Sequence, residues 1–146
     1  MRRLLLILAL CAPALPALAQ DRTPALRQTL VDLAYVLGEA HALRQVCTGA
    51  EDQFWRTRMI RMVDVEQPDA ALDRRLKESF NTGFASRQSE FANCGAGSRR
   101  AEAAATARGR DIAQRLSQVM NRVSDGEMPP TVGEQANDLA AHPGAR

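Results

Sequence analysis

The sequence predicts an all-α protein, a small up-and-down bundle of about four helices with one disulfide. Three observations lead to this prediction. Apolar residues recur at spacings of three and four along most of the chain, which is the period of an amphipathic helix. The alternation typical of strands is almost absent. Two cysteines remain once an N-terminal targeting segment is set aside, and an even pair in an exported chain favours a disulfide.

Residues 1–19 have the layout of a secretory signal peptide. Arg2 and Arg3 precede a short apolar run, and an Ala-Leu-Ala stretch ends at Ala19 as a small-x-small cleavage site. The apolar run is too short to span a bilayer. A lipoprotein signal that uses Cys11 is the alternative, but a bulky leucine directly precedes that cysteine. We therefore expect cleavage after Ala19 and a periplasmic location.

Removing this segment changes the charge balance. The chain contains 19 basic and 17 acidic residues, and two of the arginines lie in the signal, so 17 of each sign remain. A neutral mature chain gives no support to a nucleic-acid partner or to an anionic membrane surface. No remaining segment is long and apolar enough to cross a membrane. The remaining residues suffice for one domain, which we place at 20–123.

The first helix is predicted to begin at Thr23-Pro24, with threonine as the N-cap and proline at the first helical position. Its apolar stripe runs from Leu26 to Cys47, and Gly49 ends it. The second helix is predicted to open at Glu51 and Asp52, because acidic residues suit the positive end of the helix dipole.

The second helix carries Trp55 and Met59 inward and stops before Pro68. The third begins at Pro68 or Asp69, and its stripe continues to Cys94. Within it, the sequence Phe-Asn-Thr-Gly-Phe at 80–84 is a weak point that could kink or split the helix.

Ser98 is predicted to cap a fourth helix that extends to Val123. Gly109 within it is either a local cost in helix stability or a point of close helix approach. Residues 124–146 contain several prolines and glycines with little periodicity, and we expect a mostly disordered tail there.

Short connections make successive helices antiparallel neighbours, so the first and third helices should run in the same direction. Cys47 and Cys94 then come to the same end of the bundle, which favours a disulfide between them. A redox role is less favoured because the chain has no C-x-x-C motif. One helical turn away, Arg44 occupies the inward stripe, where an unpaired charge is costly. We expect it to pair with Glu90 or with another acid at that level.

The stretch Gly-Glu-Ala-His-Ala-Leu-Arg-Gln-Val-Cys at 38–47 groups several chemically active side chains. Glu39 and His41 are two residues apart, about 200° around a helix, so they cannot share one metal ion. A metal site is therefore not expected, and no motif for a cofactor or a phosphate is present. Ingredients for nucleophilic catalysis are also missing, because no acid is evident that would orient His41.

The stretch Phe-Trp-Arg-Thr-Arg-Met-Ile-Arg-Met at 54–62 interleaves an aromatic residue with arginines. Trp55, Arg56 and Arg58 are residue types enriched at protein interfaces and at single-strand nucleic-acid sites. Since the mature chain is neutral and exported, the protein interface is the better hypothesis. A solvated helix face is the simpler alternative.

These segments, together with Phe-Ala-Asn-Cys at 91–94, resemble a family of small exported alphaproteobacterial proteins known as a domain of unknown function. The resemblance covers roughly residues 26–118. It implies an exported helical domain with a cysteine pair and no assigned activity. Its signature positions in this sequence would be Gly38, Glu39, His41, Arg44, Cys47, Trp55, Arg56 and Cys94.

The sequence thus favours a non-catalytic binding or accessory module of the cell envelope, whose partner is another envelope protein or component. The expected working surface is the end of the bundle near Cys47, with Glu39, His41, Arg44, Trp55, Arg56 and Arg58 as candidate contacts. The alternative is a small enzyme or a ligand or metal binder that uses Glu39, His41 and Arg44 in a pocket between helices. The oligomeric state does not follow from the sequence.

Overall fold

A computed structural model of the protein describes residues 22–125, which form four helices and no strand. The helices are α1 (Pro24–Thr48), α2 (Phe54–Glu66), α3 (Ala70–Glu90) and α4 (Ala96–Ser124). The predicted all-α bundle is confirmed.

The predicted signal peptide, and the predicted tail apart from its first two residues, lie outside the described part of the chain. None of the helices between residues 22 and 125 has the length and apolarity that a membrane crossing requires.

Two helix starts agree with the sequence. The Thr23 hydroxyl accepts a hydrogen bond from the backbone N–H of Leu26 at 3.2 Å, with Pro24 at the first helical position. At the start of α3, the Asp69 carboxylate accepts from the backbone N–H of Leu72 at 2.8 Å. Each side chain satisfies a donor that the first helical turn leaves without an intrahelical partner.

Three predicted boundaries are wrong. Helix α2 begins at Phe54, because the Asp52 side chain accepts from the Phe54 backbone N–H at 3.0 Å and so holds the turn before the helix. Helix α3 ends at Glu90, which leaves Cys94 in the connection. Helix α4 begins at Ala96, ahead of Ser98, whose hydroxyl bonds the N–H and the carbonyl of Gly95.

Helix α1 is the centre of the bundle. It packs extensively on each of the other three helices, which make few contacts with one another. Contacts along α1 and α3 advance together, from Arg27 with Asp69 to Cys47 with Cys94, so these helices are parallel as predicted. The main core is formed by Leu30, Ala34, Leu37, Met59, Leu72, Leu76 and Phe80.

A pair of glycines sets the distance between α1 and α3. A Cβ atom at Gly38 would lie 2.0 Å from the carbonyl oxygen of Phe80, and one at Gly83 would lie 2.1 Å from the carbonyl oxygen of Tyr35. The two backbones are therefore in direct contact, which a side chain at either position would prevent. Gly83 belongs to the stretch at 80–84, and α3 runs through it as one helix.

Candidate functional site

Glu39 is a buried carboxylate that connects three helices. Its side chain is 4 % exposed; Oε1 lies 2.6 Å from Nη2 of Arg87 on α3, and Oε2 lies 2.6 Å from Nη2 of Arg108 on α4. Arg87 also donates from Nε to Oε1 at 2.7 Å. Two guanidinium groups thus compensate a carboxylate that would be costly to bury alone.

The same carboxylate influences Arg87. Burial by itself lowers the pKa of this guanidinium, but the hydrogen bonds that it donates to Glu90 and Glu39 outweigh burial and raise the pKa above its ordinary value. Arg87 therefore stays positively charged and pairs with both Glu90 and Glu39. The guanidinium groups of Arg87 and Arg108 compensate the negative charge of Glu39 inside the protein. Both oxygens of the Glu39 carboxylate already contact guanidinium groups, which leaves them poorly placed to contact a substrate or a metal ion.

His41 lies in an aromatic environment on a different side of α1. Its ring centroid is 5.7 Å from that of Phe80 and 5.4 Å from that of Phe84. Within the described residues its Nδ1 has no hydrogen-bond partner, and Nε2 lies 3.4 Å from the side-chain nitrogen of Gln45. Glu39 and His41 thus face different neighbours, as their spacing predicts.

The surroundings of His41 favour its neutral form. Burial is the main cause that lowers its pKa below the usual 6.5, and the positive charge of Arg56 acts in the same direction, while Asp52 opposes them. The imidazole is therefore uncharged at neutral pH. Residues 22–125 contain no cluster of three or more side chains suited to a metal ion.

Arg44 does not pair with Glu90, the first partner expected for it, but it does pair with other acids at this end of the bundle. Arg44 donates from Nε to the Asp52 carboxylate at 2.9 Å, and its Nη1 lies 3.9 Å from the Glu102 carboxylate. Glu90 instead pairs with Arg87, one helical turn earlier. The expectation assumed that α3 continues to the cysteine, whereas α3 ends at Glu90 and places that side chain elsewhere.

Asp52 has a double role at this end of the bundle. The hydrogen bond from the Phe54 backbone N–H is the main cause that lowers its pKa; burial opposes this effect, and the hydrogen bond and charge of Arg44 support it. The carboxylate stays ionised, so it holds Arg44 and the start of α2 together.

The start of α2 carries an aromatic and cationic group that we call the Phe54 cluster, made of Arg44, Phe54, Trp55 and Arg58. The Phe54 ring is 40 % exposed and meets the Trp55 ring edge-on at 5.0 Å. The guanidinium of Arg58 lies 3.5 Å from the Phe54 ring centre, and that of Arg44 lies 4.6 Å from it. These are cation–π contacts with a partly exposed ring.

The candidate residues from the sequence therefore do not converge on one pocket. Glu39 and His41 are buried, Arg44 and Trp55 are half-buried, and Arg56 and Arg58 are exposed. Phe54, Arg87 and Arg108 are contacts that sequence reasoning missed. The helix start at Phe54 could have been inferred from Asp52, because an aspartate side chain often accepts from the backbone N–H two residues later. No comparable sequence signal identifies Arg87 and Arg108 as the partners of Glu39.

Cys47 and Cys94 meet at the end of the bundle, with their sulfur atoms 2.09 Å apart. This places them at disulfide distance, as the parallel direction of α1 and α3 predicts. The Ser98 hydroxyl lies 3.7 Å from the Cys47 sulfur, so the start of α4 also contacts the bridge. The bridge thus joins the end of α1 to the connection between α3 and α4, which are the two helices that Glu39 also contacts.

A protein-family model described as "Protein of unknown function (DUF2385)" matches residues 26–120, well over half of the chain. The chain belongs to this family. The match covers all four helices except the first two residues of α1 and the last turn of α4. Searches of curated proteins and of solved structures found no match.

Proposed function

We propose that this member of the family is an exported periplasmic protein that binds another component of the cell envelope without performing catalysis. Two features support export. Residues 1–19 have the sequence layout of a signal peptide, and the cysteine pair lies at disulfide distance. Disulfides persist in oxidising compartments such as the periplasm.

The observation that carries the proposal is the outer face of α2. Its large apolar side chains are Phe54, Ile60 and Val65, which are 40 %, 53 % and 78 % exposed. Arg56 and Arg61 of the same helix are also exposed. Aromatic, aliphatic and arginine side chains are the residues that anchor protein interfaces. Because α2 packs mainly on α1, this face is available to a partner with acidic and apolar groups.

The alternative, an enzyme or a ligand or metal binder that uses Glu39, His41 and Arg44, requires these side chains to converge. Glu39 is neutralised by two arginines and His41 lies between two phenylalanine rings. Arg44 is directed to Asp52 at the start of α2. These contacts explain the three residues as supports of the fold, which favours the binding module.

Site-specific photo-crosslinking in living cells tests this proposal. A photoreactive amino acid is placed at Ile60 or Val65 on α2, and at exposed Ala103 on α4 as the control. We expect the two α2 positions to capture the same discrete envelope component and the control position not to capture it. The charge reversal Arg61→Glu should lower the yield. Equal capture from all three positions, or no capture from α2, would contradict the proposal.

A further inference from the structure

A groove runs between α2 and α4 over α1. It has a volume of about 260 Å³, and its floor is formed by apolar residues of α1 that include Val36 and Leu37. Trp55 and Met62 line it from α2. On the α4 side the groove is lined by small residues, which include Ala105 and Gly109. Helix α4 lies close to α1 here, since a Cβ atom at Gly109 would be 3.4 Å from a methyl carbon of Val36.

The charges of this groove have one sign. Arg58 enters its lining from α2 and Arg110 from α4, and no lining residue is acidic. Within residues 22–125 neither arginine forms an ion pair with a carboxylate. Arg58 is nevertheless positioned, because it donates to the Phe54 carbonyl at 3.2 Å and stacks on the Phe54 ring.

The groove on the other side of α2 is different. It lies between α2 and α3 and has a larger volume of about 450 Å³. Its lining includes Asp64 together with Arg56 and Lys77, so charges of both signs are present. Such a lining selects neither an anion nor a cation. The contrast shows that uniform positive charge is a property of the α2–α4 groove, and not of every surface beside α2.

We propose that the α2–α4 groove binds a single-chain amphiphile with an anionic head, of which a medium-length fatty carboxylate is the representative. The apolar floor would hold the alkyl chain, while Arg58 and Arg110 would contact the carboxylate from opposite walls. The volume lies just below the range of about 300–1,000 Å³ for sites of drug-sized ligands, so a slim chain fits better than a ring system. This site does not depend on the envelope partner proposed above.

The chain contains one tryptophan, Trp55, and it lines the groove. Its fluorescence therefore reports binding directly. The purified protein is titrated with decanoate at concentrations below those at which decanoate forms micelles. Decanol and decyltrimethylammonium serve as comparison probes, because they have the same ten-carbon alkyl chain with no charge and with a positive charge, respectively. We expect saturable binding of decanoate that is about tenfold tighter than that of the other two. Raising the salt concentration should weaken the binding of decanoate most.

Three variants separate this site from non-specific adsorption. The double variant Arg58→Gln, Arg110→Gln should lose the preference for decanoate but keep the weaker binding of the alkyl chain. Ala113→Leu adds volume at the groove and should abolish binding of all three probes. Ala104→Leu, nine residues earlier and on the opposite side of α4, should leave binding unchanged. Equal affinity for the three probes, or decanoate binding that survives Ala113→Leu, would overturn the proposal.

Discussion

The close approach of α1 and α3 at Gly38 and Gly83 makes a demanding prediction about stability. In Gly38→Ala the new Cβ atom would lie 2.0 Å from the Phe80 carbonyl oxygen and 2.9 Å from the Phe84 backbone nitrogen. Both atoms belong to the α3 backbone, so no side-chain rotation relieves the overlap and the helices must move apart. Overpacking costs about 1–3 kcal/mol and at times more. We expect a loss of about 3 kcal/mol, despite the better helix propensity of alanine.

Urea unfolding measures this loss. With a slope of about 1–3 kcal/mol per molar urea, the unfolding midpoint should fall by about 1–3 M while the slope stays the same. Gly97→Ala in α4 is the matched control, because its Cβ atom would lie 3.6 Å from the Phe91 ring, an ordinary contact. The control should change stability by no more than about 1 kcal/mol. A Gly38→Ala midpoint equal to that of the control would refute direct backbone contact.

Three further predictions concern the other contacts of α1. Glu39→Gln should lower the free energy of unfolding by about 2–4 kcal/mol, because Arg87 and Arg108 lose their shared carboxylate; Arg108→Gln should cost less, since its side chain is 46 % exposed. Chemical unfolding of both variants checks this order, and the reverse order would contradict it. The lowered pKa of His41 means that the unfolded chain binds a proton more readily than the folded one below the usual pKa of 6.5. Stability should therefore fall as the pH drops below that value, and melting curves of His41→Gln should show a smaller dependence in this range. Reduction of the disulfide, which closes a 47-residue separation, should cost about 4 kcal/mol in the chain-entropy model. An unchanged melting temperature in the presence of a reductant would contradict that expectation.

The sequence predicted the helices and their directions because these depend on local signals. Apolar periodicity and the Thr23 cap are properties of neighbouring residues, and short connections determine which helices run in parallel. The meeting of Cys47 with Cys94 followed from that direction alone. These features required no knowledge of how each helix is rotated about its axis.

The contacts that depend on helix rotation were not predictable. Glu39 pairs with arginines 48 and 69 residues later in the chain, and no spacing rule identifies them. Arg44 pairs with an acid, as expected, but Glu90 is not that acid, because the expectation placed the end of α3 four residues too late. The sequence predicts a possible kink at Gly83, because glycine is a poor helix former. The structure shows instead that the α1 backbone lies directly against Gly83, so this glycine permits close packing of the two helices.

The proposed function has a physical basis in the different environments of the α1 and α2 side chains. The polar residues of α1 are engaged within the fold, with Glu39 between two arginines and His41 between two rings. On α2, by contrast, Ile60 and Val65 are exposed, and so is Arg61. A binding module needs such a difference, because its contact surface can then vary without loss of the core.

The central claim is that one disulfide joins the end of α1 to the connection after α3, in a protein that we propose works outside the cytoplasm. The most direct test is the intact mass of the protein taken from its own cells and treated with an alkylating reagent without prior reduction. We expect a chain that begins at Gln20 and carries no alkyl group, because both thiols are joined. A chain that retains residues 1–19, or one alkylated at Cys47 and Cys94, would contradict the account.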